Sequence, residues 1–159
     1  MQYLQQSLRT FCISLVLLIV LATGIGLILG WTEAAGAVAA VSQAPIEVQI
    51  HLGNSANELK FEPNSLEFAV GQRYRLVLDN PSGQKHYFTS KDFADNLWTQ
   101  KVEAAGVEVK GAVHELELKP GAEAEWFFVP MKPGTYELYC SIAGHAEAGM
   151  VGQITVEST

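Results

Sequence analysis

From Pro45 onward the chain alternates apolar and polar positions in short runs. Ile46, Val48, Ile50 and Leu52 are interleaved with Glu47, Gln49 and His51, a period of two that fits a strand with one buried face. His51 has the polar parity and reads as a surface residue. Gly53-Asn54-Ser55 is a turn. Leu59 and Phe61 resume the alternation as far as Pro63-Asn64. Leu66, Phe68 and Val70 share a face up to Gly71, and Tyr74, Leu76 and Leu78 share the next, up to Asn80-Pro81-Ser82-Gly83. His86 then opens another short strand. Residues 91–111 break the rhythm and read as an irregular excursion across the body, with a short helix in which Phe93, Leu97 and Trp98 cover one face. Strands resume over 113–119, 122–129, 135–140 and 151–157. In the first of these His114 falls on the apolar parity with Leu116 and Leu118, as a hydrogen-bonded residue at the core margin. Short strands spaced about ten residues apart, separated by Gly, Pro, Asn and Ser, predict an all-β sandwich or barrel. No stripe of helical period interrupts them, which argues against a βαβ arrangement.

The pattern is different at the N-terminus. Residues 11–31 carry no charge and are mostly Leu, Ile, Val, Ala and Gly, close to the roughly 20 residues that cross a bilayer as a helix. Residues 1–31 therefore read as a signal anchor or a signal peptide. Arg9 ahead of the run favours an N-terminus left in the cytoplasm. Ala37-Val38-Ala39 has the small-x-small form that signal peptidase accepts, so cleavage stays open. Either way, residues 45–159 are expected outside the cytoplasm, in a periplasm or thylakoid lumen, after an Ala- and Gly-rich linker over 32–44.

Charge narrows the functional classes. The chain has a net charge of −7, and since Arg9 and Glu33 cancel, all of it falls after Pro45. Non-specific nucleic-acid binding needs basic patches and is not expected here. The two cysteines are Cys12, inside the apolar run, and Cys140. Cys140 is then a lone thiol in an exported domain, which calls for a chemical role.

That role is suggested by its neighbours. Cys140, His145 and Met150 form a Cys-x4-His-x4-Met series. Gly144 and Gly149 allow the intervening chain to fold back. Cys140 shares the inward parity of Tyr136 and Leu138, so its sulfur enters from the core side, shielded from water. Zinc prefers closed Cys/His sets and rarely takes Met. An iron–sulfur cluster needs more cysteines. In Cys–His nucleophilic catalysis the Met has no role. Two imidazoles, a thiolate and a weak thioether suit copper in a trigonal-plus-axial site, and His86 is the candidate for the second imidazole.

With these residues in view, the chain resembles the cupredoxin, or blue copper, family. The resemblance is carried by Phe61-x-Pro63, Leu66, Gly71, Asn80 and His86, then by Pro133-Gly134-x-Tyr136-x-x-Tyr139-Cys140 and the loop through Met150. The loop spacing is most similar to the rusticyanin type. The resemblance implies a Greek-key β-sandwich with one copper ion at one end, cycling between Cu(I) and Cu(II). His86, Cys140 and His145 would be the equatorial ligands and Met150 the axial one. His145 would be the electron exit, with Ala146, Ala148 and Gly149 as a small apolar patch where redox proteins or membrane redox complexes dock. Tyr87 is a departure, since several family members carry Asn or Ser directly after the upstream His, where the side chain braces the Cys loop. The expected function is single-electron carriage by a monomer, attached to the membrane through residues 11–31 if the signal is retained. The alternative is copper buffering or delivery. An oxidase or reductase would need further domains and His-x-His pairs, which this sequence lacks.

Overall fold

The structure is a computed structural model, and it describes residues 44–158. The predicted apolar run over 11–31, the linker and Cys12 lie outside the described residues. Among the described residues no helix is long and apolar enough to cross a membrane.

Among the described residues, eleven strands are arranged in two sheets. The first sheet holds β1 (Ile46–Leu52), β2 (Phe61–Glu62), β4 (Tyr74–Asp79), β6 (Leu97–Ala104), β7 (Val107–Val109) and β9 (Glu123–Pro130), in the order β2-β1-β4-β9-β6-β7. The second holds β3 (Ser65–Ala69), β5 (His86–Thr89), β8 (Glu115–Leu118), β10 (Gly134–Tyr139) and β11 (Val151–Glu157), in the order β3-β11-β10-β5-β8. Two pairings are parallel, β1 with β4 and β3 with β11. The rest are antiparallel. The described residues are thus mostly β, in two sheets as expected.

The alternating positions close the sandwich. Ile50, Leu52, Leu76, Leu78, Trp126 and Phe128 from the first sheet are buried against Leu66, Phe68, Phe88, Leu138 and Ile154 from the second. Rings meet edge to face across the gap. Phe68 lies 4.8 Å from Tyr74 and 5.2 Å from Phe128, and Phe88 lies 6.2 Å from Trp126, measured between centroids. Each such pair adds about 0.5–1.5 kcal/mol beyond the area it buries.

The segment 91–111 is not irregular, contrary to the expectation from its pattern. After the short helix α1 (Lys91–Asp95) it forms the β6–β7 hairpin, and β6 lies hydrogen-bonded along β9. A register irregularity between Thr99 and Lys101 shifts the side-chain alternation, which hides the strand from a period-two reading. Phe93, Leu97 and Trp98 do not share a helical face. Phe93 is fully buried, whereas Leu97 and Trp98 belong to β6 and Trp98 is 41% exposed. His114 precedes β8, is exposed rather than at the core margin, and meets Asp95 Oδ1 through Nε2 at 2.6 Å.

The sandwich has two ends. β1 starts at Ile46, paired with Tyr74, and finishes at Leu52, where Gly53 backs onto His86. Seven strand residues separate the ends by about 20 Å. The loops that carry His86 and residues 140–150 converge on the Leu52 end.

Candidate metal centre

β4 ends at Asp79, and the chain then enters a loop organised by Asn80, which is 1% exposed. The Asn80 side-chain amide donates to the carbonyls of Gln84 (2.7 Å) and Leu118 (2.8 Å), and its oxygen accepts from Ser82 N (3.0 Å). These bonds fold Asn80-Pro81-Ser82-Gly83 back and start β5 at His86, opposite Leu118. The His86 ring is fully buried. Its Nε2 lies 2.9 Å from Ser82 Oγ, and among the described residues its Nδ1 has no hydrogen-bond partner. A buried polar atom without a partner costs of order 1–3 kcal/mol unless another group fills the place. Gly53 permits this packing: at φ +77°, a Cβ there would stand 3.1 Å from both His86 Nε2 and Ser82 Cβ.

β10 delivers Cys140, a free thiol 1% exposed. Cys140 N donates to Met150 O at 3.1 Å, closing the base of the loop. Within it, bonds from His145 N to Ile142 O, Ala148 N to Gly144 O and Met150 N to His145 O form tight successive turns. Gly144 (φ +87°) and Gly149 (φ +106°) take the left-handed conformations that these turns require. His145 is half-buried and Met150 fully buried.

The donor atoms of His86, Cys140 and His145 all lie within 4.8 Å of one another. His145 Nδ1 is 3.5 Å from Cys140 Sγ, and the two imidazole centroids are 5.3 Å apart. Burial, and secondarily the proximity of His145, lowers the pKa of His86 from the usual 6.5. The neutral imidazole this favours can give a lone pair to a metal. Tyr87 N donates to the same sulfur at 3.4 Å, while the Tyr87 hydroxyl donates to Glu117 beside Lys85. The side chain after the upstream His thus turns to the surface, and the backbone N–H supports the Cys loop. A buried thiol, a partnerless imidazole nitrogen and a second imidazole fit a single type 1 copper site.

The family model described as copper-binding proteins of the plastocyanin/azurin family matches residues 48–157. The chain belongs to this family. As a cupredoxin it takes copper as its cofactor. It is 32% identical over 124 residues to the chloroplastic plastocyanin major isoform of Arabidopsis thaliana, covering 77% of this chain and 67% of the relative. It is 26% identical over 155 residues to the copper-resistant cuproprotein CopI of Pseudomonas aeruginosa, covering 79% and 83%. Among solved structures, dithionite-reduced auracyanin from Roseiflexus castenholzii superposes with a TM-score of 0.52 at 21% identity, over 72% of this chain and 99% of that one. This last likeness is one of fold.

Sequence reasoning named His86, Cys140, His145 and Met150, and the structure brings the first three together. Met150 is buried at the foot of the same loop. Sequence reasoning missed Ser82 and Gly53 as neighbours of His86. Both sit in segments that read as turns, and their only signal was a polar or small residue near a candidate ligand.

Proposed function

We propose that this chain is a type 1 copper protein that carries single electrons between redox partners, with His86, Cys140 and His145 as equatorial ligands and Met150 as the axial one. Copper supplies one-electron exchange between Cu(I) and Cu(II) when bound. The observation that carries this reading is the pairing of a buried thiol with a buried, partnerless imidazole nitrogen, in a shell closed by backbone bonds. Such a shell holds its ligands in one arrangement, so little has to move when charge changes. Nothing in the reading requires a substrate pocket, and we assign no enzymatic activity.

His145 is half-buried on a loop whose Ala148 and Gly149 are exposed. This face is the proposed docking site for redox proteins or membrane redox complexes. The proposed location is an extracytoplasmic compartment, with residues 11–31 as a membrane anchor if the signal is retained. The similarity to a copper-resistant cuproprotein supports a second reading, copper buffering or delivery by the same ligands.

The visible and EPR spectra after one equivalent of Cu(II) distinguish the two. An intense blue band with narrow copper hyperfine splitting is expected for the electron carrier. A pale, ordinary Cu(II) spectrum would leave copper handling as the function. Cys140→Ser is expected to abolish the blue band, because the colour is charge transfer from the thiolate. A blue band retained in that variant would remove Cys140 from the ligand set.

A further inference from the structure

Ser82 carries one proton and can accept two hydrogen bonds. Its Oγ lies 2.9 Å from the carbonyl of Gln84, which can only accept, so the hydroxyl proton is committed there. Gln84 N donates back to Oγ at 3.1 Å. The remaining contact is His86 Nε2 at 2.9 Å, and with the serine proton already used, Nε2 must be the donor. A neutral imidazole with its proton on Nε2 has a bare lone pair on Nδ1. That is the atom left without a partner, in the ring grouped with Cys140 and His145.

Building on the copper-site reading above, we propose that Ser82 is a positioning residue that fixes the tautomer and ring orientation of His86, presenting Nδ1 to the metal. Three features hold Ser82 for this task. It is 3% exposed, its N–H is bound by Asn80 Oδ1, and the Gln84 peptide occupies both its remaining donor and one acceptor direction. Gly53 leaves the contact undisturbed, since a Cβ there would stand 3.1 Å from both the ring nitrogen and Ser82 Cβ. Removing such outer partners of a ligating His typically costs 10–100-fold in metal affinity.

The first test needs neither a variant nor a metal. Nitrogen-15 NMR of the full-length apoprotein at neutral pH is expected to find His86 protonated at Nε2, with a slowly exchanging N–H coupled to Nδ1 of bare-nitrogen shift. A proton on Nδ1 would overturn the proposal. The second test compares Ser82→Ala with Ser90→Ala in the full chain. Ser90 is similarly buried, and its hydroxyl donates to Glu137 O at 2.6 Å rather than to a ligand residue. Ser82→Ala is expected to weaken Cu(II) binding by about 10–100-fold and to shift the reduction potential, whereas Ser90→Ala lowers thermal stability and leaves both unchanged. Equal affinity and potential in the two variants would reduce Ser82 to a structural role and sink the idea. A wild-type protein with the Nε2–H tautomer but no blue site would instead count against the copper reading.

Discussion

Gly53 and His86 share a contact that leaves no room for a side chain. At φ +77° a non-glycine residue is strained, and its Cβ would press on His86 Nε2, Ser82 Cβ and Glu58 O at 3.1–3.3 Å. Gly53→Ala is therefore expected to destabilise the apoprotein by more than about 1 kcal/mol, read as a lower Tm, and to weaken the blue band by displacing the His86 ring. Unchanged values of both would show that the ring has slack. Met150 poses the opposite case. It is fully buried, and Leu is close to it in volume, so Met150→Leu should fold at a cost below about 1.5 kcal/mol. The variant should keep copper and raise the reduction potential, because a weak axial donor stabilises Cu(II) and leucine offers none. An unchanged potential in voltammetry would mean that the thioether is not axial.

The strands carry the site in proportion to how plainly they alternate. β1, β4, β9 and β10 read clearly, because each puts large apolar residues on one face at a period of two. Cys140 was legible for the same reason, its parity following Tyr136 and Leu138 into the core. β6 was not legible, because the irregularity at Thr99 and Lys101 breaks the alternation and Ala105-Gly106 is a weak hairpin signal beside Asn-Gly. The Ser82–His86 contact was hidden for another reason: a turn sequence states where the chain reverses, not which side chain it points inward. β11 offers a test at this scale. It lies between β3 and β10, and a Cβ at Gly152 would stand 2.5 Å from the backbone oxygen of Asn64. That oxygen also accepts from Gln153 N at 2.8 Å, so it cannot move without breaking a bond. Gly152→Ala is expected to cost about 1–3 kcal/mol, seen in denaturant unfolding as a lower midpoint with unchanged slope. A neutral effect would mean that the β3–β11 pairing is looser than its register implies.

For the whole molecule, the ligands are held by parts that do not depend on the metal. His86 is fixed by pairing with Leu118 and by the Asn80 and Ser82 bonds, and Cys140 by its N–H to Met150 O and by burial against the core. Beneath them, Trp126, Phe128, Phe93 and Phe68 pack ring against ring. Metal binding is therefore expected to add to a finished fold, unlike small zinc domains that are unfolded without their ion. Removing copper should leave the near-ultraviolet circular dichroism of the aromatic cluster unchanged at room temperature while lowering Tm. The size of that drop follows from linkage, since a ligand that binds only the folded state stabilises it by about 2.7 kcal/mol at a free concentration a hundredfold above Kd. Tm should accordingly rise with added copper and stop rising in Cys140→Ser. Loss of the aromatic signal on copper removal would instead mean that the metal organises the sandwich, and the loop bonds around residues 140–150 would then be a consequence of the site rather than its frame.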